Sequence, residues 1–161
     1  MCLKKIGSLE YYIKCINDNI CYFCDEAECV LCDSSYHSVN NIDLCKQLVD
    51  ILFQHCSKDS VKAIDSCNIY LYTGDSRHIF LKYDEDVNDD SLVKDCNDII
   101  YNFGVLILKL LSLCDVSNEN FHDFILFKCP HNFKTILPLM LSERKDDRPD
   151  HYDIIKHVYF M

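Results

Sequence analysis

The sequence predicts a mainly α-helical single domain over residues 1–161 that carries one small β hairpin. Three observations predict it: an amphipathic repeat over Asn41–His55, two short β-rich runs about the turn Thr73-Gly74-Asp75-Ser76, and an almost uniformly apolar stretch from Asp98 to Leu113. A chain of 161 residues, 49% of them apolar, buries roughly two thirds of its unfolded surface and supports a core without disulfide or metal staples.

Between Asn41 and His55, Ile42, Cys45, Leu48, Val49, Leu52 and Phe53 recur at three and four, which marks one face of a helix. Asn40 or Asn41 is the expected cap. Asn68-Ile-Tyr-Leu-Tyr and His78-Ile-Phe-Leu-Lys-Tyr read as the two hairpin strands. DIIYNFGVLILKLLSL, from Asp98 to Leu113, is apolar nearly all round, so this helix is expected to be wrapped by the rest of the domain. Three shorter helices are expected near Asn118–Phe127, His131–Leu141 and Pro149–Tyr159. Pro138 should kink or delay the second. Pro149 should sit in the first turn of the third, where a missing N–H costs nothing. There is no internal repeat and no low-complexity linker.

Sixteen Lys and Arg against twenty-six Asp and Glu leave a net charge of −10. Nucleic-acid affinity comes largely from cations that neutralise phosphates, so DNA, RNA and anionic membranes are not expected partners. The amino-terminal MCLKKIGSLEYYIKC lacks an apolar core followed by a small-residue cleavage site. The twelve Cys are therefore expected to be reduced thiols in the cytoplasm. No run approaches the roughly 18 uninterrupted apolar residues of a membrane span; the longest, Val105–Leu113, is broken by Lys109 and Ser112. Ala occurs only at positions 27 and 63, and Arg only at 77, 144 and 148. That scarcity of residues with GC-rich codons hints at an AT-rich genome, such as that of a large DNA virus or an intracellular parasite.

One constellation has metal-ligand spacing. Cys21-x-x-Cys24 and Cys29-x-x-Cys32 are two turns that can present four thiolates to zinc, with His37 a possible substitute ligand. The four residues between the pairs are far fewer than the roughly fifteen that separate structural zinc knuckles. Ordinary reduced thiols are thus the favoured expectation and a structural zinc the alternative, and no other cofactor is expected. The acidic series Asp84, Glu85, Asp86, Asp89, Asp90, Asp95 and Asp98 reads as a solvated loop before it reads as a surface for a basic partner. No nucleophile signature surrounds any Cys or His.

In chain order, GSLEYYI from Gly7, LCKQLVDILFQHCSKDSVKAIDSCNIYLY from Leu44, HIFLKYDED from His78, DIIYNFGVLILKLL from Asp98 and RKDDRPDHYDIIKHVYF from Arg144 resemble the C-terminal lobe of a eukaryotic protein kinase. The likeness runs over nearly the whole chain. It implies a kinase C-lobe fold with the N-terminal lobe absent, a single domain with a possible Cys-rich insert over 17–40, and a degenerate catalytic loop. Val61, Lys62 and Ala63 stand where kinases have His-Arg-Asp, and Asp65 stands where a Lys should steady phosphate. Ala63 cannot accept the hydroxyl proton, and a carboxylate at Asp65 repels phosphate. Asn68 and Asp84 match the two metal-ligand positions, but Glu85 and Asp86 replace the Phe and Gly that follow the metal-binding Asp. Two ligands without substrate phosphates make a poor magnesium site.

Only thirteen residues separate Asp84 from Asp98, too few for an activation segment and a substrate platform. The resemblance therefore implies a pseudokinase: a catalytically inactive binding protein similar to truncated viral kinase homologues. Such a protein would engage a host kinase or signalling protein by lobe mimicry and modulate host defence. The alternative is a scaffold module, similar to kinase non-catalytic C-lobe domains, for cytoskeletal or trafficking partners. Arg148 matches the Arg that pairs in kinases with the Glu of Ala-Pro-Glu, which has no counterpart here. It is expected either to recruit a carboxylate from Asp89–Asp98 or to turn into solvent.

Overall fold

A computed structural model describes residues 3–18, 34–56, 69–73, 79–83, 96–112, 124–125 and 129–160. Their elements run β1 (Lys4–Ser8), α1 (Leu9–Asp18), α2 (Ser34–Cys56), β2 (Ile69–Thr73), β3 (Ile79–Tyr83), α3 (Cys96–Ser112), α4 (His131–Lys134), α5 (Ile136–Met140), a 3-10 turn (Lys145–Asp147) and α6 (His151–Phe160). The chain is mainly α with a small antiparallel sheet.

The sheet has the order β1-β2-β3. Strands β2 and β3 pair antiparallel from Ile69↔Tyr83 to Thr73↔Ile79, which puts Ile69, Leu71, Ile79 and Leu81 on the buried face. Strand β1 is the addition that the residue pattern concealed. Lys4-Lys5-Ile6-Gly7-Ser8 has no alternation and little β propensity, and it becomes a strand because β2 offers it a hydrogen-bonding edge, with a register shift between Lys5 and Gly7. Ser8 then ends the strand and caps α1, its Oγ accepting from the Tyr11 N–H at 3.2 Å.

Helix α2 begins seven residues before the expected Asn41. Its buried stripe is Asn41, Leu44, Cys45, Leu48, Val49, Leu52 and Cys56, so Ile42 and Phe53 fall to its half-buried margins. Asn41 is no cap. It is 1% exposed, takes the Tyr12 hydroxyl on Oδ1 at 2.6 Å and donates through Nδ2 to the Leu110 carbonyl at 2.9 Å. One amide thereby joins α1, α2 and the end of α3, which only a buried helical position permits.

Helix α3 buries Ile99, Ile100, Phe103, Ile107, Leu108 and Leu110 against α2, α5 and their neighbours. It is not wrapped on every side, because Tyr101 stays exposed. Gly104 allows the close approach of α5: a Cβ there would come within 3.1 Å of Leu141 Cδ2 and 3.2 Å of Met140 Cβ.

The single helix expected over His131–Leu141 is two short ones that break at Thr135. Pro138 is the third residue of α5 and has no N–H for the Lys134 carbonyl, so the ladder stops there. Pro149 lies outside the last helix rather than in its first turn, and Asp150 is the cap, its Oδ1 accepting from the Asp153 N–H at 2.8 Å. Helix α6 is held to α4 by Asn132 Nδ2 on the Val158 carbonyl at 2.6 Å. The Tyr159 hydroxyl holds it to α2 through Asp50 Oδ2 at 2.9 Å and the Lys46 carbonyl at 3.2 Å. No helix among the described residues is long and apolar enough to cross a membrane.

Candidate functional site

Asp98, Tyr101 and Asn102 lie at i, i+3 and i+4 of α3 and so share one helix face. That face meets Arg148, carried on the extended segment between the 3-10 turn and α6. The four side chains line a pocket of about 280 Å³ at the beginning of α3.

Arg148 organises the pocket. Its side chain is only 8% exposed; Nε donates to the Ser142 carbonyl at 2.8 Å, and its guanidinium carbon lies 4.9 Å from the centre of the Tyr101 ring. Nη1 stands 3.7 Å from Asp98 Oδ1, outside hydrogen-bond distance, so this pair is held by charge. Lys145 approaches the same oxygen at 3.1 Å from a far more exposed position. Among the described residues the guanidinium is thus held by the Ser142 carbonyl and lies over the Tyr101 ring, two contacts that the point charge of a Lys reproduces poorly. Lys145 is a surface cation that a ligand could displace at little cost. The lining offers an amide, a phenol, a carboxylate and a guanidinium.

Of the residues marked by the sequence, Arg148 is buried and faces Asp98, the last carboxylate of Asp89–Asp98. Ala63, Asp65, Asn68 and Asp84, the positions aligned with catalytic and metal-binding residues, lie outside the described residues. So do Cys21, Cys24, Cys29 and Cys32, while the ends of the stretch 17–40 belong to α1 and α2. Among the described residues, no group of three or more His, Cys, Asp or Glu is placed to hold a metal ion. Tyr101 and Asn102 escaped the sequence reading. Their signal was their spacing from Asp98, but only the docking of Arg148 makes that face a site.

Two described thiols are shielded. Burial pushes Cys45 well above an ordinary thiol, with Cys129 adding to the effect, and its Sγ lies 3.9 Å from the Ile107 carbonyl. Burial likewise pushes Cys129 up to about 11, against a small opposing effect of Lys134. Thiolate is the nucleophilic form, so neither is a reactive cysteine near neutral pH. Burial, then the bond to Asp50, also raises Tyr159 well above an ordinary phenol. No family model matches the chain, and no curated protein matches it closely enough to count as a relative.

Proposed function

We propose that this chain is a catalytically inactive, kinase C-lobe-like binding protein that engages a partner protein, with a host kinase as the favoured partner and interference with its signalling as the outcome. The observation that carries the reading is the pocket at the start of α3. A buried Arg stacked on an exposed Tyr, beside a carboxylate and an amide, is a combination enriched among the residues that dominate protein interfaces. The order of the segments and the replacement of the catalytic residues by Ala63 and Asp65 favour binding over phosphoryl transfer, which needs charge stabilisation that these residues cannot supply.

The test has two arms. Affinity purification with the chain and with Tyr101→Ala as bait should recover a kinase with the first and lose it with the second. A set of actin regulators or trafficking proteins would replace mimicry with scaffolding. Thermal unfolding with ATP and magnesium or manganese should show no saturable rise in Tm; a rise would mean that a nucleotide-metal site is retained.

A further inference from the structure

We infer that the outer face of the sheet, built from Lys5, Tyr70, Tyr72, Phe80 and Lys82, is a docking surface for an acidic segment of a partner protein. The inference rests on the reading of the chain as a binding module and adds a second face to it.

The register places these residues together. Tyr70 pairs with Lys82 and Tyr72 with Phe80 across β2 and β3, and Lys5 pairs with Tyr72 across β1 and β2, so all five project to the side opposite Ile69, Leu71, Ile79 and Leu81. The two lysines lean diagonally. Lys5 Nζ sits 3.6 Å from the centre of the Tyr70 ring and Lys82 Nζ sits 5.3 Å from that of Tyr72, which holds the ammonium groups over aromatic faces. Both lysines are exposed and the three rings half-buried. The result is an aromatic centre under a cationic rim.

Charge selects the occupant. The chain carries twenty-six Asp and Glu, yet none lies in the three strands, whose charged residues are Lys4, Lys5 and Lys82. A cationic aromatic island on a chain of net charge −10 complements carboxylates that alternate with apolar side chains. Single-stranded nucleic acid also stacks on aromatic sheet faces. Its affinity, however, requires many phosphate contacts, and the three strands supply only Lys4, Lys5 and Lys82 as cations.

The partner must meet the sheet by its face. At β3 the Gln47 amide occupies the strand edge, with Nε2 donating to the Ile79 carbonyl at 2.9 Å and Oε1 accepting from the Leu81 N–H at 2.7 Å. At β1 a register shift between Lys5 and Gly7 interrupts the ladder.

The experiment uses fluorescence anisotropy on the whole chain with a labelled Glu-Glu-Phe-Glu-Glu-Phe-Glu-Glu peptide, its Gln counterpart and a labelled oligothymidylate. Saturable binding of the Glu peptide is expected, stronger than for either comparison probe and weakened by salt. The exposed double substitution Lys5→Glu with Lys82→Glu should weaken it by about tenfold or more while leaving the circular dichroism and Tm unchanged. Lys134→Glu with Lys156→Glu, which changes net charge equally on other exposed positions, should leave most of the affinity. Absence of saturable binding, equal losses in both double variants, or tighter binding of the oligothymidylate overturns the inference. Peptide binding that persists while Tyr101→Ala leaves partner capture unaltered would instead bring down the pocket reading and leave this one standing.

Discussion

The backbone N–H of Leu81 donates to Oε1 of Gln47 across 2.7 Å, and the other half of the same amide donates to the Ile79 carbonyl at 2.9 Å. Gln47 therefore acts toward β3 as a neighbouring strand would, supplying one acceptor and one donor at the spacing of a ladder rung. Its Nε2 is steadied further by Asp43 Oδ2 at 2.9 Å. The contact ties α2 to the sheet through polar groups as well as packing.

Gln47→Leu should accordingly destabilise the fold although it adds apolar surface. It leaves two backbone groups without that partner, each costing about 1–3 kcal/mol if water cannot reach it. Chemical denaturation should show a lowered midpoint with an unchanged slope. Gln47→Glu should retain the bond from Leu81 but set a carboxylate oxygen against the Ile79 carbonyl and the Asp43 carboxylate, so it too should lower the midpoint.

The amide of Asn41 makes a sharper case. Tyr12→Phe removes the donor at 2.6 Å from Oδ1, and Asn41→Ala strips a partner from both the Tyr12 hydroxyl and the Leu110 carbonyl. Each variant should lose about 1–3 kcal/mol. The double variant should lose clearly less than the sum, because both substitutions remove the same bond. Full additivity in a double-mutant cycle would show that the hydroxyl and the amide do not interact.

Arg148→Ala should lower the melting temperature by several degrees. It removes the bond to the Ser142 carbonyl, a charge-assisted contact of about 1.5–3 kcal/mol, along with the stacking on Tyr101; a domain of this size shifts roughly 2–4 °C per kcal/mol. Arg148→Lys should rescue little, since an ammonium has no planar fork to share between a carbonyl and a ring. Recovery of wild-type Tm in the Lys variant would show that only charge matters at this position.

Stability should fall on the alkaline side. The Cys129 thiol has an ordinary value of 9.0 and is pushed up to about 11 in the folded chain. The folded state thus keeps a proton that the unfolded state has released. Its contribution is complete below pH 9 and is lost as pH rises toward 11. Cys45 and Tyr159 act in the same direction. Unfolding midpoints measured from neutral to strongly alkaline pH should decline through that window, and Cys129→Ala should flatten the early part of the decline.

His151 offers a substitution in the other direction. Its Nε2 is buried and has no hydrogen-bond partner among the described residues, while its ring lies 5.5 Å from that of Phe53 and 4.2 Å from that of Tyr152. His151→Phe exchanges an unsatisfied polar atom for a carbon edge in an aromatic cluster, so it should raise Tm by a few degrees. A lowered Tm would mean that the imidazole is hydrated in solution.

What the residues determine by themselves is local. The three-and-four repeat of Leu48, Val49 and Leu52 makes a helix, the alternation in Ile69–Thr73 and Ile79–Tyr83 makes paired strands, and the apolar run after Asp98 makes the central helix, each within one turn or one pleat. Tertiary structure decided the rest, because each remaining feature needs a partner far along the chain. Strand β1 exists through β2, more than sixty positions later. Asn41, which looks like a cap in sequence, is a buried junction because Tyr12 and the Leu110 carbonyl converge on it from opposite directions. The start of α3 is merely a helix end until Arg148, fifty residues after Asp98, folds against Tyr101 and makes it a pocket. Periodicity encodes which face a residue takes, whereas the identity of its partner follows only from the packing of the whole chain.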